Sequence, residues 1–428
     1  MGKVKDFAVV EKCRLCASAN LDEVLDFGSV AIGNNLADNK EEALTAKAYP
    51  LKVNRCAECE HFQLSVAISP KILYQKNYSY LSSIGDSFRR HLKNYVSWLF
   101  DLGLVCEGSQ VLDIGSNDGT ALKYFAKRGC KVIGIDPASG PAAIANAAGI
   151  ETYCDFFGTA AGERLKGTHG AFDFITSHNV LAHVESLTDT FATVHSLLKP
   201  EGYFCFEVGY FRSVVESGLF DTVYHEHLDY HHAIPLHSCL TRLGFEVISY
   251  STNDAQGGTL RVLCRKKSSR KDLPPELDTH KVLEFLAEER NCELFTNCSL
   301  ERWQEGIKSN LRDLRQLIDQ LKKKGLSIVG YGAPTKCVLL MHLLAVDAES
   351  IPVVFEDNHL KVGKFLPQSG IPILSSSELW YSDANVVVVL AWNFYRDIKK
   401  KLVERLGRDI RIICPLPAVR VDAHVEPN

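Results

Sequence analysis

The chain has 428 residues, 46% of them hydrophobic and 23% charged, and a net charge of -4. That is enough for two or three domains with real cores, and it offers no basic footprint for nucleic acid. No apolar run approaches the ~20 residues of a membrane span, and the opening Met1-Gly-Lys-Val-Lys-Asp-Phe7 lacks the core of a signal peptide.

The first segment holds Cys13-Arg-Leu-Cys16 and Cys56-Ala-Glu-Cys59, two C-x2-C pairs with residues 17–55 between them. Four thiolates in this pattern read as one structural zinc site rather than as free core cysteines. With four protein ligands, such a site keeps no open position for substrate. The long gap leaves room for a strand pair around Tyr49-Pro-Leu-Lys-Val53. The other ten of the fourteen cysteines are scattered singly, a usage that fits a reducing cytoplasm.

Tyr74-Gln-Lys-Asn-Tyr78-Ser-Tyr80-Leu-Ser82-Ser83 is rich in hydroxyls. It reads equally as a solvated connector into a helix from about Asp86 to Leu102 and as a lid with hydroxyls turned toward a ligand. Val111-Leu-Asp-Ile-Gly-Ser-Asn-Asp-Gly119 then joins a buried strand to a glycine loop and a helix. Gly115 and Gly119 permit a tight turn and close approach of a ligand. The next strand, Lys131 to Ile135, ends on Asp136, placed to accept hydrogen bonds from a ribose.

This pattern suits a dinucleotide or S-adenosylmethionine, and the loop lacks the third glycine of G-x-G-x-x-G. Asp113, just before the first glycine, would repel a pyrophosphate and attract the ammonium of a methionine. S-adenosylmethionine is therefore favoured over a nicotinamide dinucleotide or an unliganded turn. Further along, Phe156 follows a third short strand and can flank an adenine, while Asn179 and His183 follow the fourth strand at the ligand-bearing edge. The βα alternation to Val208 predicts a mostly parallel sheet.

Phe220 to His232 contains His225, His227, His231 and His232 with Tyr224, Glu226 and Tyr230. Proton chemistry explains that density better than a metal site, because no downstream carboxylate-histidine partner has a recognisable spacing. Lys266 to Pro275 reads as a linker, and His280 to Lys324 as a long charged helical region. A second βα pattern opens at Leu326-Ser-Ile-Val-Gly330-Tyr-Gly332, where the glycine turn either cradles a phosphate or packs a helix closely.

With these residues in view, the whole chain resembles the bacterial sugar C-methyltransferases that act on nucleotide-linked keto-deoxysugars. The likeness runs through both C-x2-C pairs, Ser116-Asn-Asp-Gly119, Asn179-Val-Leu-Ala-His183, Tyr224-His-Glu-His227, Gly257-Gly258, Gly330-Tyr-Gly-Ala-Pro334 and Leu390-Ala-Trp-Asn393. It implies an α/β protein with three parts. A small zinc-binding domain spans 1–70, a class I methyltransferase domain with a Rossmann-like sheet spans 71–265, and a helical linker with a Rossmann-like sugar-nucleotide domain spans 266–428.

The resemblance further implies methylation at carbon 3 of a 4-keto-6-deoxysugar carried on dTDP or GDP, through an enolate. In that scheme His227 is the base, Tyr224 and Glu226 assist, and Tyr78 and His183 face the substrate. The expected cofactors are S-adenosylmethionine, held by Asp113, Gly115, Asn117, Gly119, Asp136, Phe156 and Asn179, and zinc on Cys13, Cys16, Cys56 and Cys59. Rival readings are an O-methyltransferase on a sugar or natural-product hydroxyl and a non-catalytic zinc-knuckle scaffold.

Overall fold

The computed structural model describes residues 6–74, 81–83, 85–406 and 409–422. The chain folds into two compact units. One comprises Met1–Glu23, Asn54–Ser213 and Glu226–Glu293; the other comprises Val24–Val53, Val214–His225 and Leu294–Asn428.

The amino-terminal region carries β1 (Phe7–Val9), β2 (Leu21–Ala31), β3 (Ala48–Cys56), β4 (Phe62–Leu64) and β5 (Val66–Ile68). β1 pairs antiparallel with β5. The main sheet of the first unit is built from β6 (Gln110–Ile114), β7 (Lys131–Ile135), β8 (Thr152–Tyr153), β9 (Phe172–His178) and β10 (Leu198–Gly209). After β11 (Asp229–Tyr230), which pairs antiparallel with β4, it is completed by β12 (Phe245–Asn253) and β13 (Thr259–Lys266).

The order across that sheet is β12-β13-β10-β9-β6-β7-β8. Strands β6 to β10 are parallel, whereas β13 runs antiparallel to both β10 and β12. Val111, Leu112, Ile114, Phe174 and Ile175 are buried, as central parallel strands covered on both faces require. Strand order reverses between β6 and β9, so their carboxyl ends form the crevice in which open α/β sheets hold ligands.

The second unit has its own sheet, formed by β14 (Ile328–Tyr331), β15 (Val354–Glu356), β16 (Ile373–Ser375), β17 (Val386–Val389), β18 (Arg411–Cys414) and β19 (Arg420–Asp422). Its order is β16-β15-β14-β17-β18-β19, parallel except for β19. The four valines of β17 are all buried in its centre. The fold is thus α/β, with two Rossmann-like sheets and an amino-terminal cysteine-bearing lobe.

The expected charged helical region is present as two helices, His280–Asn291 and Asn297–Lys323. Glu293 takes φ 49°, a left-handed conformation that ends the first, and the Thr296 side chain caps the second by accepting from the Ser299 amide. Leu300, Trp303, Ile307, Leu314, Ile318 and Leu321 then line one buried face at helical spacing. No described helix is long and apolar enough to cross a membrane.

Candidate functional site

The turn after β6 is held by the strand beside it. The amides of Gly115 and Ser116 both donate to the Ile135 carbonyl at 2.8 and 3.2 Å. Asp136, at the end of β7, accepts from the Asn117 amide at 2.9 Å and the Ala138 amide at 2.8 Å. Gly115, Asn117 and Gly119 all have positive φ, at 70°, 51° and 73°. A β-carbon on Gly115 would fall 2.2 Å from Val180 Cγ2, so the space this glycine leaves is filled by the loop after β9 rather than kept for a ligand.

Asp113 is 3% exposed, and its Oδ1 has no hydrogen-bond partner. Burial, and after it the neighbouring Asp136 charge, push its carboxyl well above the usual range. Burial likewise raises Asp136. An orphaned buried carboxyl oxygen beside a second acid, at the carboxyl edge of a parallel sheet, fits a cationic ligand that carries a ribose. Phe156 stands 41% exposed shortly after β8. Asn179 adopts φ 56° and donates its amide to the Glu207 carbonyl at 2.8 Å.

Sequence reasoning missed a charged network at the same edge. Glu207 of β10 is completely buried, and its Oε2 contacts His178 Nδ1 at 2.9 Å and His91 Nε2 at 2.7 Å. Its Oε1 accepts from Arg261 Nε at 2.9 Å and from Asn253 at 3.2 Å. Burial opposes ionisation, but the two histidines and Arg261 hold the carboxyl well below its ordinary value. The available signal was an acid set inside the apolar run Tyr203-Phe-Cys-Phe-Glu-Val208.

The histidine-rich stretch separates into different environments. His225 is buried against the carbonyls of Tyr49 and Pro50 at 3.2 and 3.3 Å. His232 bridges Glu289 at 3.1 Å and the Glu60 carbonyl at 3.0 Å. His231 is 1% exposed, and burial pushes its imidazole down to about 3. His227 is only half-buried, and its ring meets His183 edge-on with centroids 4.8 Å apart. Burial pushes the His183 imidazole down to about 4. Of the expected helpers, Glu226 is buried in the first unit and Tyr224 is half-buried in the second. Tyr78 lies outside the described residues.

The four cysteine sulfurs gather within 4.8 Å of one another, the one such cluster with metal-binding geometry among the described residues. Cys13 and Cys59 are 3.5 Å apart, as are Cys16 and Cys56. Tetrahedral zinc with Zn–S of about 2.3 Å wants sulfurs roughly 3.8 Å apart, so the set fits the ion. The two knuckles share a backbone device: Ala17 and Glu60, each directly after a second cysteine, have φ 64° and 66°.

In the second unit, Gly332 takes φ 83°, and a β-carbon there would fall 2.5 Å from the Ala391 side chain. Close packing accounts for that glycine. Lys336 nearby contacts Asp221 at 3.3 Å and lies 4.3 Å over the Trp392 ring.

Comparison with known proteins agrees with this geometry. Residues 13–74 match the family model "Putative zinc binding domain", residues 88–250 match "Methyltransferase domain", and residues 254–417 match "C-methyltransferase C-terminal domain". The chain is 29% identical over 412 residues to the C-methyltransferase NovU of Streptomyces niveus, covering 96% of this chain and 97% of that protein. It is 33% identical over 110 residues to the ubiquinone biosynthesis O-methyltransferase of Pseudomonas aeruginosa, covering 25% of this chain and 47% of that protein. Among solved structures, magnesium protoporphyrin IX methyltransferase (ChlM) from Synechocystis PCC 6803 with bound SAM matches 42% of this chain and 79% of its own, at 16% identity and a TM-score of 0.32. The four-cysteine cluster and the zinc-binding family model agree on a structural zinc, and the methyltransferase model agrees with a methyl-donor site at the β6–β9 edge. Along nearly its whole length, the chain is thus similar to a C-methyltransferase, with a methyltransferase domain behind an amino-terminal zinc-binding domain.

Proposed function

We propose that this enzyme methylates carbon 3 of a nucleotide-linked 4-keto-6-deoxysugar, on dTDP or GDP, with His227 as the base that forms the enolate. The observation that carries the reading is the edge-on pairing of His227 with His183, on the loop whose Val180 covers Gly115. The motif resemblance supplies the sugar class. The same reading divides the chain into a zinc-binding domain over 1–70, a donor domain over 71–265 and a sugar-nucleotide domain over 266–428.

A carbon beside a ketone becomes nucleophilic once its proton leaves, and an imidazole within reach is a suitable general base to take it. By the motif resemblance His183 faces the substrate, and its ring, kept neutral by burial, adds no second cation beside the base. By the motif resemblance, Tyr224 and Glu226 are proposed to assist the base and Tyr78 to face the substrate. S-adenosylmethionine supplies a methyl bonded to a sulfonium. The carbon 3 electron pair forms the new C–C bond as the S–C bond breaks, and the proton taken by His227 passes to solvent. Asp113, Gly115, Asn117, Gly119, Asp136, Phe156 and Asn179 are proposed to hold the donor.

The test incubates dTDP-4-keto-6-deoxyglucose, or its GDP counterpart, with labelled methyl donor in D2O. The expected product carries the label at carbon 3, and His227→Asn abolishes both methylation and solvent deuterium exchange. The ketone acidifies the carbons on both of its sides. A methyl located by NMR on carbon 5 or on oxygen, or full exchange in the variant, overturns the assignment.

A further inference from the structure

The zinc knuckle reaches the histidine pair through one side chain. Arg14 stands between the first two zinc cysteines, Cys13 and Cys16. Its Nε donates to both carboxylate oxygens of Asp229, at 2.9 and 3.0 Å. Its Nη2 donates to the Val184 carbonyl at 2.6 Å, and its Nη1 to the Glu185 carbonyl at 3.1 Å. Val184 directly follows His183, and Asp229 comes two residues after His227. One guanidinium therefore grips both segments that carry the facing rings.

The surroundings leave little slack in this grip. The Arg14 side chain is 10% exposed and that of Asp229 fully buried. Asp229 also contacts His61 Nε2 at 2.8 Å. The two segments are joined directly by a hydrogen bond from the Leu228 amide to the Ala182 carbonyl at 2.7 Å. Beyond Leu228, Asp229 and Tyr230 pair with Gln63 and Phe62 of β4, the strand that follows the second knuckle. The Arg14 backbone is itself fixed, since its amide donates to Gln63 Oε1 at 2.8 Å while Gln63 Nε2 donates to the Lys12 carbonyl at 3.0 Å.

The geometry points to Arg14 as a positioning residue for the methyl transfer: it couples the zinc knuckle to the His183 and His227 segments and sets how the two rings meet. The inference rests on the reading of His227 as the base. Only arginine offers several donors in a rigid planar fork, so one side chain can bind a carboxylate and two carbonyls of another segment at once. Lysine retains the charge but not the fork. A catalytic group displaced by about 1 Å can cost on the order of a hundredfold in rate.

The experiment compares Arg14→Ala and Arg14→Lys with the parent and with His227→Asn, each as full-length chain. Zinc per chain, S-adenosylmethionine affinity by calorimetry, kcat, KM, and deuterium exchange into dTDP-4-keto-6-deoxyglucose are measured. For Arg14→Ala the expected result is full zinc content and donor affinity within twofold of the parent, while kcat and exchange fall together by ten- to a hundredfold. Arg14→Lys, which keeps the fold's buried charge, loses less, and added guanidinium partly restores the alanine variant. Exchange within twofold of the parent in a zinc-replete Arg14→Ala overturns the proposal, as does a loss that merely follows zinc or donor affinity. If His227→Asn still exchanges, the base assignment fails; if that variant is dead while Arg14→Ala behaves like the parent, only the positioning role fails.

Discussion

Val180 sits over Gly115 so closely that a β-carbon on the glycine would lie 2.2 Å from Val180 Cγ2. The turn after β6 and the loop leading to His183 are therefore fitted to each other across the crevice between β6 and β9.

Gly115→Ala is expected to destabilise the protein by about 2–4 kcal/mol, combining a left-handed φ of 70° with the overlap. Val180→Ala in the same chain should recover the overlap and leave roughly 1 kcal/mol of backbone strain. Chemical denaturation of the two single variants and the double variant measures the coupling. Strictly additive losses would show that the two residues do not meet.

Asp136→Asn should weaken S-adenosylmethionine binding by roughly ten- to a hundredfold, since a charged acceptor serving two loop amides is worth about 1.5–3 kcal/mol. Calorimetry on the zinc-loaded protein reads this directly. Unchanged affinity would remove Asp136 from the donor site.

His231 makes stability depend on pH. Its imidazole is depressed to about 3 by burial, against about 6.5 in the unfolded chain. Between those values the unfolded state binds the extra proton. This contribution is therefore complete above about pH 6.5 and is lost as pH falls toward 3, on the order of 4 kcal/mol over the window. Urea unfolding between pH 5 and 6 should show His231→Gln with a slope shallower by about 1.4 kcal/mol per pH unit. Parallel slopes would mean that His231 is not held neutral by the fold.

The local devices could be read from the sequence because each is written within a few neighbouring residues. The strand, turn and strand-end acid of Val111 to Asp136 announce themselves through apolar spacing and glycine, and the two C-x2-C pairs through cysteine spacing. What could not be read is how distant segments use up side chains. Four histidines between His225 and His232 look alike on paper, yet three are buried in packing or carbonyl contacts and one is left half-open beside His183. Glu207 and Arg14 gain their roles from partners far away in sequence, so spacing alone carried no signal for either. The end of the first charged helix at Glu293 depends on one left-handed residue that is not a glycine.

The chain alternates between its two units, changing allegiance after Glu23, Val53, Ser213, His225 and Glu293. During synthesis, Val24–Val53 and Val214–His225 emerge well before the remainder of their own unit, which is finished only by the carboxyl-terminal stretch. A nascent polypeptide must therefore carry these segments unfinished while the other unit closes around Glu293. No single cut, early stop codon or simple exchange of gene halves could deliver either unit intact.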